Sequence, residues 1–510
     1  MLMHRRRYSN VQVVLSTCGS LFVVLGTFLL IPLAVALLDG EFHNGSTTLF
    51  AFLLPSALAF VIGGLCRFLF PAQAPSSVQA MLICSLAWLG FSAIGGLPFV
   101  ISLHASYLDG FFEAMSGFTT TGITMFTGLD YMPKSILFWR SLTQWIGGLG
   151  ILTFFLFVTY RVAGGHRLFG AETHKIGMER PVPGMTHTLR ILWSIYTGFT
   201  ALVLVALWCG GMSFFDSVCH SFTALSTGGF SPHDASIEYY RMSGYALAGW
   251  IEYVLIGGML MGGTNFLIHY RVLHGKVHAL FDNSEMRWWW SLIILLFLAI
   301  FLERMIKLGV LESLFVSDNF TWQQIEGNLR TVLFQVVAII TTTGFSTQDI
   351  AGSFFGQVAR QLFLVMMVIG GCVGSTGGGL KVLRVSILVS LVRRELFRLR
   401  TPAASVSTVI IDGKPIEANE IYRVSGLFFA WVAFLMIGGL VTAFLSHFDA
   451  YQSFSGMFSA LGNIGPCYIP TPAMGQLHSI IKIVYIIGML AGRLEILPVL
   501  LLFSRRAWRS

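Results

Sequence analysis

Ser116 to Thr124 reads SGFTTTGIT, a crowd of hydroxyls around one glycine inside an otherwise greasy chain. Such residues suit a lipid-facing helix badly. They suit a backbone that leaves the helix and aims its carbonyls at something. The stretch recurs: Ser226 to Ser231 reads STGGFS, Thr341 to Ser346 reads TTTGFS, and a degenerate copy, GNIGP, spans Gly462 to Pro466. Taking Gly122, Gly229, Gly344 and Gly465 as equivalent, the intervals are 107, 115 and 121 residues. A long, nearly constant period predicts repeated structural units.

The composition says what surrounds those strips. Of 510 residues 55% are hydrophobic and 11% charged, with mean hydropathy +0.75. Ordinary soluble domains carry roughly 25% charged residues, so this chain is expected to be a polytopic all-α membrane protein. Apolar runs of the ~20 residues that a helical span needs recur along its length. The first, Val11 to Leu38, follows Arg5 to Arg7 and is about twice as long as a signal-peptide core, which predicts an uncleaved span. Seven cysteines form no CxxC pair and sit mostly in apolar runs, as small buried hydrophobes do. The net charge of +8 gathers in clusters at Arg5–Arg7, Arg161–Lys175, Arg271–Arg287, Arg393–Arg400 and Arg505–Arg509. All fall on one side if each unit crosses twice, which makes that side, and both termini, cytoplasmic. Solvated loops account for the charge, and no nucleic-acid function is needed.

Each unit has one grammar: a span, a short half-helix, a glycine-hydroxyl strip, an external loop and a second span. After an N-terminal transmembrane pair over 1–75, the units cover 76–165, 185–275, 286–400 and 418–506. In the first, Asp109 to Phe118 is too short to cross, at ~15 Å for ten residues. Asp109 and Asp216 each stand thirteen residues before their glycine, at a half-helix start where a carboxylate favours the positive end of the dipole. The second spans of units two and four are expected to be single helices, Tyr245–Tyr270 and Leu477–Phe503. Ten spans and four re-entrant hairpins account for nearly all the apolar sequence.

Non-helical backbone at membrane depth survives only where it is buried in protein or lines a watery path, because unpaired peptide groups in lipid cost several kcal/mol each. Four such strips converge most simply around one axis, where rings of carbonyls replace the hydration shell of a small cation. Glycine supplies the dihedrals, and hydroxyls add ligands and bracing. Gly/Ser/Thr motifs also serve as helix-packing faces; four copies at matching positions favour a pore. Glu113, His220 and Gln335 share the position nine residues before their glycine, and are read as braces of the half-helices rather than ion ligands. Glu252, inside a span, is read as a structural hydrogen-bonding group.

The strips, together with QWIGGLG (Gln144–Gly150), GGFSPHDASI (Gly228–Ile237), GGCVGSTGGGLKVLR (Gly370–Arg384) and GRLEILPVLLLF (Gly492–Phe503), resemble the Trk/Ktr/HKT superfamily of potassium transporters, most closely the membrane subunit of the bacterial Trk system. The resemblance covers essentially the whole chain. It implies four pseudo-symmetric units around one K+ path in the bacterial inner membrane. The filter would then be Thr120, Thr121, Gly122, Thr227, Gly228, Gly229, Thr342, Thr343, Gly344, Asn463, Ile464 and Gly465. Glycine at 122 resembles the potassium-selective branch; serine there marks sodium-carrying plant relatives. The resemblance also implies a homodimer and a cytoplasmic Rossmann-type subunit that binds NAD(H) or adenine nucleotides (ATP/ADP). No glycine fingerprint after a strand occurs in this chain, so no organic cofactor is expected on it.

Gly370, Gly371, Gly374, Gly377, Gly378 and Gly379 fall within ten residues. At about 1 kcal/mol per interior glycine relative to alanine, a straight helix is a poor outcome; an unwound loop is expected. The resemblance makes it a gate, with Ser375 and Thr376 in its middle. It also points Arg493, costly in mid-span, at the path beneath the filter. Lys381 either snorkels to the surface or pairs with an acid. Three alternatives stand beside this reading: a sodium-coupled or non-selective cation transporter of the same superfamily, an inverted-repeat transporter, and a membrane enzyme. The repeats all enter from one side, unlike inverted ones. An enzyme lacks support: His166, His174 and His187 show no HExxH spacing, and no GxSxG elbow occurs. The residues do not distinguish channel-like flow from symport with H+ or Na+.

Overall fold

The structure is a computed structural model, described here for residues 10–41, 47–70, 75–162, 185–309, 322–402 and 407–509. Arg5–Arg7, most of the basic segment Arg161–Lys175, and His166 and His174 lie outside the described residues. The chain is almost wholly helical. Among the described residues, strands are confined to one hairpin, Ile410–Ile411 with Lys414–Pro415. Among the described residues, six helices are long and apolar enough to cross a membrane, or seven if one bent pair counts as a single span. The fold is that of a polytopic all-α membrane protein.

An accessory pair, Asn10–Leu38 and Thr47–Leu69, precedes four units of like build. Its helices cross where a Cβ added to Gly63 would lie 2.7 Å from the Gly19 carbonyl oxygen, so only small residues allow that approach. Half-helices follow each outer helix: Tyr107–Phe118, Phe214–Leu225, Trp322–Ile340 and Ala450–Gly462. Their starts are set locally. Ser106 and Ser213 accept the backbone N–H of Asp109 and Asp216, and Asp449 forms a capping box with Gln452. Each half-helix is wedged by buried apolar side chains: Phe112, Met115 and Trp139 with Met457 and Met489, Leu225 with Ile251 and Phe334, Ile339 with Phe363 and Ile464.

The inner helices depart from the single spans expected in units two and four. In unit two, Ala248–Gly263 and Phe266–Leu273 meet at 108°. Thr264 is extended, and the Asn265 side chain caps the second piece by accepting the Leu267 N–H. In unit four, Ser479–Leu494 stops at Glu495 (φ 60°) and Ile496 (φ 21°) before Leu497–Leu502, with Pro498 in the new first turn. In unit three, Gln357–Val368 and Val382–Arg398 flank the glycine-rich segment, which is non-helical as expected.

Candidate functional site

All four strips leave their half-helices in the same way. Thr121, Gly228, Thr343 and Ile464 donate their N–H to the carbonyl five residues back, at 2.8–3.0 Å, and the residue before each donates three residues back. This is the Schellman ending, which needs a left-handed residue. That residue is usually glycine; here it is Thr120 (φ 51°), Thr227 (φ 53°), Thr342 (φ 61°) and Asn463 (φ 54°). A β-branched residue held there carries strain of order 1–3 kcal/mol that its surroundings must over-determine. Two residues on, Gly122, Gly229, Gly344 and Gly465 are left-handed again, at φ 77–106°.

The glycines interlock. A Cβ on Gly122 would lie 2.3 Å from the Gly228 carbonyl oxygen, one on Gly229 2.0 Å from that of Thr343, and one on Gly344 1.8 Å from that of Ile464. A Cβ on Gly465 closes the circle, 3.0 Å from the Thr121 carbonyl oxygen. Each glycine thus abuts the carbonyl just ahead of the next unit's glycine, in the order one, two, three, four, one. Eight of the twelve candidate filter residues, the four glycines and the residue just ahead of each, meet in a single ring. A cavity of about 450 Å³ opens beside it, lined by all four glycines and by the loops that follow them.

Side chains behind the ring fix it. Glu113 accepts from the Thr124 hydroxyl and the Met125 N–H, both at 2.9 Å, and from Arg140 Nε at 2.8 Å. Arg140 continues to the Ser231 carbonyl at 3.0 Å and lies over the Phe230 ring, so it ties unit one to unit two. The matching His220 meets the Ser231 hydroxyl at 3.2 Å, and Gln335 donates to the Phe345 carbonyl at 3.4 Å. These three are braces, each reaching just past its own glycine. In unit four the position is Gly456, its space filled by the Tyr485 hydroxyl. Glu252 is more than a hydrogen-bonding group: buried, it pairs with both Arg241 and Arg330.

On the other side of the ring from that cavity sits the glycine-rich segment. Its ends close on each other as Gly370 donates to Leu380 (2.8 Å) and Leu380 to Val368 (3.0 Å). Between them, Cys372 and Thr376 donate their N–H to the Gly263 and Gly262 carbonyls at the bend of unit two, and Phe266 donates back to Gly374. Gly378 donates to the Thr342 hydroxyl at 2.9 Å, a direct contact with the third strip. Gly377 lies close enough that a Cβ would reach the Thr341 carbonyl oxygen at 3.2 Å. Ser375 turns inward onto the Cys372 carbonyl. Arg493, 3% exposed, donates to the Thr376 carbonyl and, at 3.1 Å, to that of Gly147. Lys381 does not snorkel: it is buried and turns back to donate to the Gly377 carbonyl, within electrostatic reach of Glu285. Glu495, just past the helix end, pairs with Arg384.

At the mouth, the loop after the second strip is pinned to that after the first. His233 Nδ1 is 2.5 Å from Asp130 and Nε2 3.5 Å from Asp216, with the ring stacked on Tyr239. Asp234 accepts from the backbone of Gly128 and Leu129. Burial disfavours the imidazolium, but the hydrogen bonds and charges of Asp216 and Asp130 outweigh it, so the His233 pKa is raised above 6.5. A raised pKa means the stabilisation is complete below the ordinary histidine value and is lost as pH rises through the folded-state value. His233→Gln is therefore expected to lower the melting temperature near pH ~6 and to change it little near pH ~9. Equal losses at both would contradict a charge-dependent pin.

A family model described as TrkH: Cation transport protein matches residues 48–509. This chain belongs to the TrkH family. Relatives include the Trk system potassium uptake protein TrkH of Vibrio parahaemolyticus, 34% identical over 506 residues that make up 96% of this chain and 98% of that one. The protein of the same name from Escherichia coli K12 is 32% identical over 440 residues, 85% of this chain and 86% of its own. An uncharacterized cation transporter of Methanocaldococcus jannaschii is 30% identical over 507 residues, 97% and 96% of the two chains. The crystal structure of the potassium transporter TrkH from Vibrio parahaemolyticus superposes with a TM-score of 0.82 at 30% identity, covering 98% of this chain and all of that one. TrkH-family relatives are named as transporters, so this is not an enzyme.

For this TrkH-family chain, the sequence reading quoted Gln144 only as the first residue of a motif and gave it no role. Its amide donates to the Gly228 carbonyl at 2.7 Å and accepts the Phe230 N–H at 3.0 Å, holding a ring carbonyl from behind. Asn463 was named only as a strip residue. Its amide crosses to the Thr121 hydroxyl and the Met489 carbonyl, joining unit four to unit one. A buried amide inside a span is a polar group that must find partners, and that was the available signal for Gln144.

Proposed function

We propose that this chain is the membrane subunit of a Trk system and takes up K+ across the cytoplasmic membrane, through the ring of strips as its selectivity filter. The observation that carries this is the unbroken circle of glycine-to-carbonyl contacts, 122 to 228, 229 to 343, 344 to 464 and 465 to 121. Packing faces require no such closure around one axis. Carbonyls of Thr121, Gly228, Thr343 and Ile464 on that axis would replace the hydration shell of a dehydrated cation. Rigid bracing by Glu113, Gln144, His220 and Gln335 keeps the ring from shrinking onto a smaller ion. The half-helix C-termini add partial negative charge on the same axis.

In this reading the segment from Gly370 to Gly379 is the gate, with Arg493 as its positive pin on the cytoplasmic side. A cytoplasmic Rossmann-type subunit binding NAD(H) or ATP/ADP moves it, and two copies of the chain assemble with one pore each, both termini inside. Support comes from the names of the relatives and from the docking of the segment directly onto Thr342.

The test is Rb+ uptake into proteoliposomes holding only this chain, with K+ and Na+ as competitors. Competition by K+ and not by Na+ is the expected result. Arg493→Ala removes the bond to Thr376, and a charge-assisted hydrogen bond is worth enough to raise flux about tenfold if it holds the gate shut. Shortening the segment Gly370–Gly379 is expected to raise flux further. No flux from well-folded, shortened protein would overturn the pore.

A further inference from the structure

Between units three and four the chain forms a small hairpin that the proposed transport path does not use. Ile410 and Ile411 pair antiparallel with Pro415 and Lys414, and the Ile416 N–H returns to the Val409 carbonyl at 2.8 Å. Asp412 (φ 48°) and Gly413 (φ 73°) make the two-residue turn, the Asp-Gly pair that a tight hairpin of this hand prefers. One face is buried: Val409, Ile411 and Ile416 share a cluster with Leu383, Ile387, Ile421, Val424 and, from the glycine-rich segment itself, Val373.

The turn makes a second connection. The Asp412 carboxylate accepts the Ser284 N–H at 2.7 Å and the Ser284 hydroxyl at 2.6 Å, with Arg287 3.7 Å away. The next residue, Glu285, is 5% exposed and accepts the Val373 N–H at 2.7 Å. Met286 follows, its sulfur 3.9 Å from the Cys372 thiol. Three consecutive residues at the start of helix Ser284–Lys307 thus hold the hairpin on one side and the glycine-rich segment on the other. A carboxylate accepting backbone and hydroxyl hydrogens is a strong tie, and Glu285 is buried at a depth where losing its partner is costly.

We propose that the hairpin Val409–Ile416 is a latch: through Asp412 on Ser284 and Glu285 on Val373 it holds the glycine-rich segment against the ring, and drawing the hairpin away frees the segment. Asp412 and Glu285 are positioning residues and touch no transported ion. This rests on reading the segment as the gate, so the test carries one readout that does not depend on transport. Cys372 lies in the segment and is fully buried, and its alkylation by a maleimide reports release of the segment whatever the segment does to ions.

The full chain is reconstituted, Cys372 labelling is followed by peptide mass spectrometry, and Rb+ flux is measured in parallel. Asp412→Ala is expected to speed labelling about tenfold and raise flux by a similar factor, whereas Asp412→Asn, which keeps an acceptor for Ser284, stays within about twofold. Glu285→Gln added to Asp412→Ala gives less than the product of the single effects, since both act on one segment. If Asp412→Ala does not fold, Ser284→Ala removes only the hydroxyl bond, with about threefold expected. Unchanged labelling in the folded variants overturns the latch, whatever the flux. Faster labelling with unchanged flux, also in the shortened-segment protein, keeps the latch and overturns the gate.

Discussion

Gly344→Ala is expected to abolish uptake while leaving the chain in the membrane. A Cβ at 344 meets the Ile464 carbonyl oxygen at 1.8 Å and Pro466 Cδ at 2.7 Å, and the residue must keep φ +81°. Neither neighbour is the free end of a flexible side chain. One is backbone in the same ring, the other a proline locked behind it. The left-handed dihedral costs about 1–2 kcal/mol for a residue with a Cβ, and overpacking a tight site about 1–3 kcal/mol more. That strain is relieved only by moving strip four, so the ring opens at the contact between units three and four. Rb+ uptake reads the loss, and fluorescence-detected size exclusion checks that the protein persists. Uptake at the wild-type level would mean that the 344–464 contact is not part of the path. Gly465→Ala, with its nearest atom at 3.0 Å and φ +106°, meets less crowding but the same dihedral cost, and is expected to be milder.

Glu113→Ala removes the carboxylate paired with a fully buried arginine. Arg140 is 1% exposed and Glu113 0%, and the Nε–Oε1 contact of 2.8 Å is made where no water screens it. Breaking such a pair from one side strands a charge and costs about 3–5 kcal/mol. The loss extends past the pair, because Glu113 also carries Thr124 and Met125 just beyond the first strip. The variant is expected to melt well below the wild type and to lose uptake. Removing both partners, Glu113→Gln with Arg140→Leu, leaves no stranded charge and is expected to recover much of the melting temperature but not the uptake, since the tie to Ser231 is gone as well. A double variant no more stable than Glu113→Ala would show that the pair itself, rather than the stranded charge, holds unit one in place.

Some of this architecture is legible in the sequence because it is local. The hydroxyl-glycine strips, the caps at Ser106, Ser213 and Asp449, and the run Gly370–Gly379 are each set by residues within about a dozen positions of one another. The repeat spacing adds that the strips are equivalent. What it cannot carry is the order in which they touch, since Gly465 meets Thr121 across about two thirds of the chain. Gln144 reaches Gly228 from 84 residues away, and nothing about a glutamine between Thr143 and Trp145 announces which carbonyl it serves. The bend of unit two was missed for another reason. Gly262, Gly263, Thr264 and Asn265 look tolerable within a packed membrane helix, but Asn265 caps a new one and frees the carbonyls of Gly262 and Gly263 for the glycine-rich segment. The two breaks face each other, and either alone would leave unpaired backbone groups at membrane depth. Lys381, similarly, had two sequence-level choices, and the fold adds a loop carbonyl, that of Gly377, to which the buried ammonium donates.

The account stands on the ring as a cation site, and anomalous diffraction from crystals of this chain grown in Rb+ addresses that directly. Peaks on the axis between the carbonyls of Thr121, Gly228, Thr343 and Ile464, fading when K+ replaces Rb+ and unchanged by added Na+, are the predicted result. A protein that still takes up Rb+ yet shows its anomalous peaks only away from that axis would contradict it.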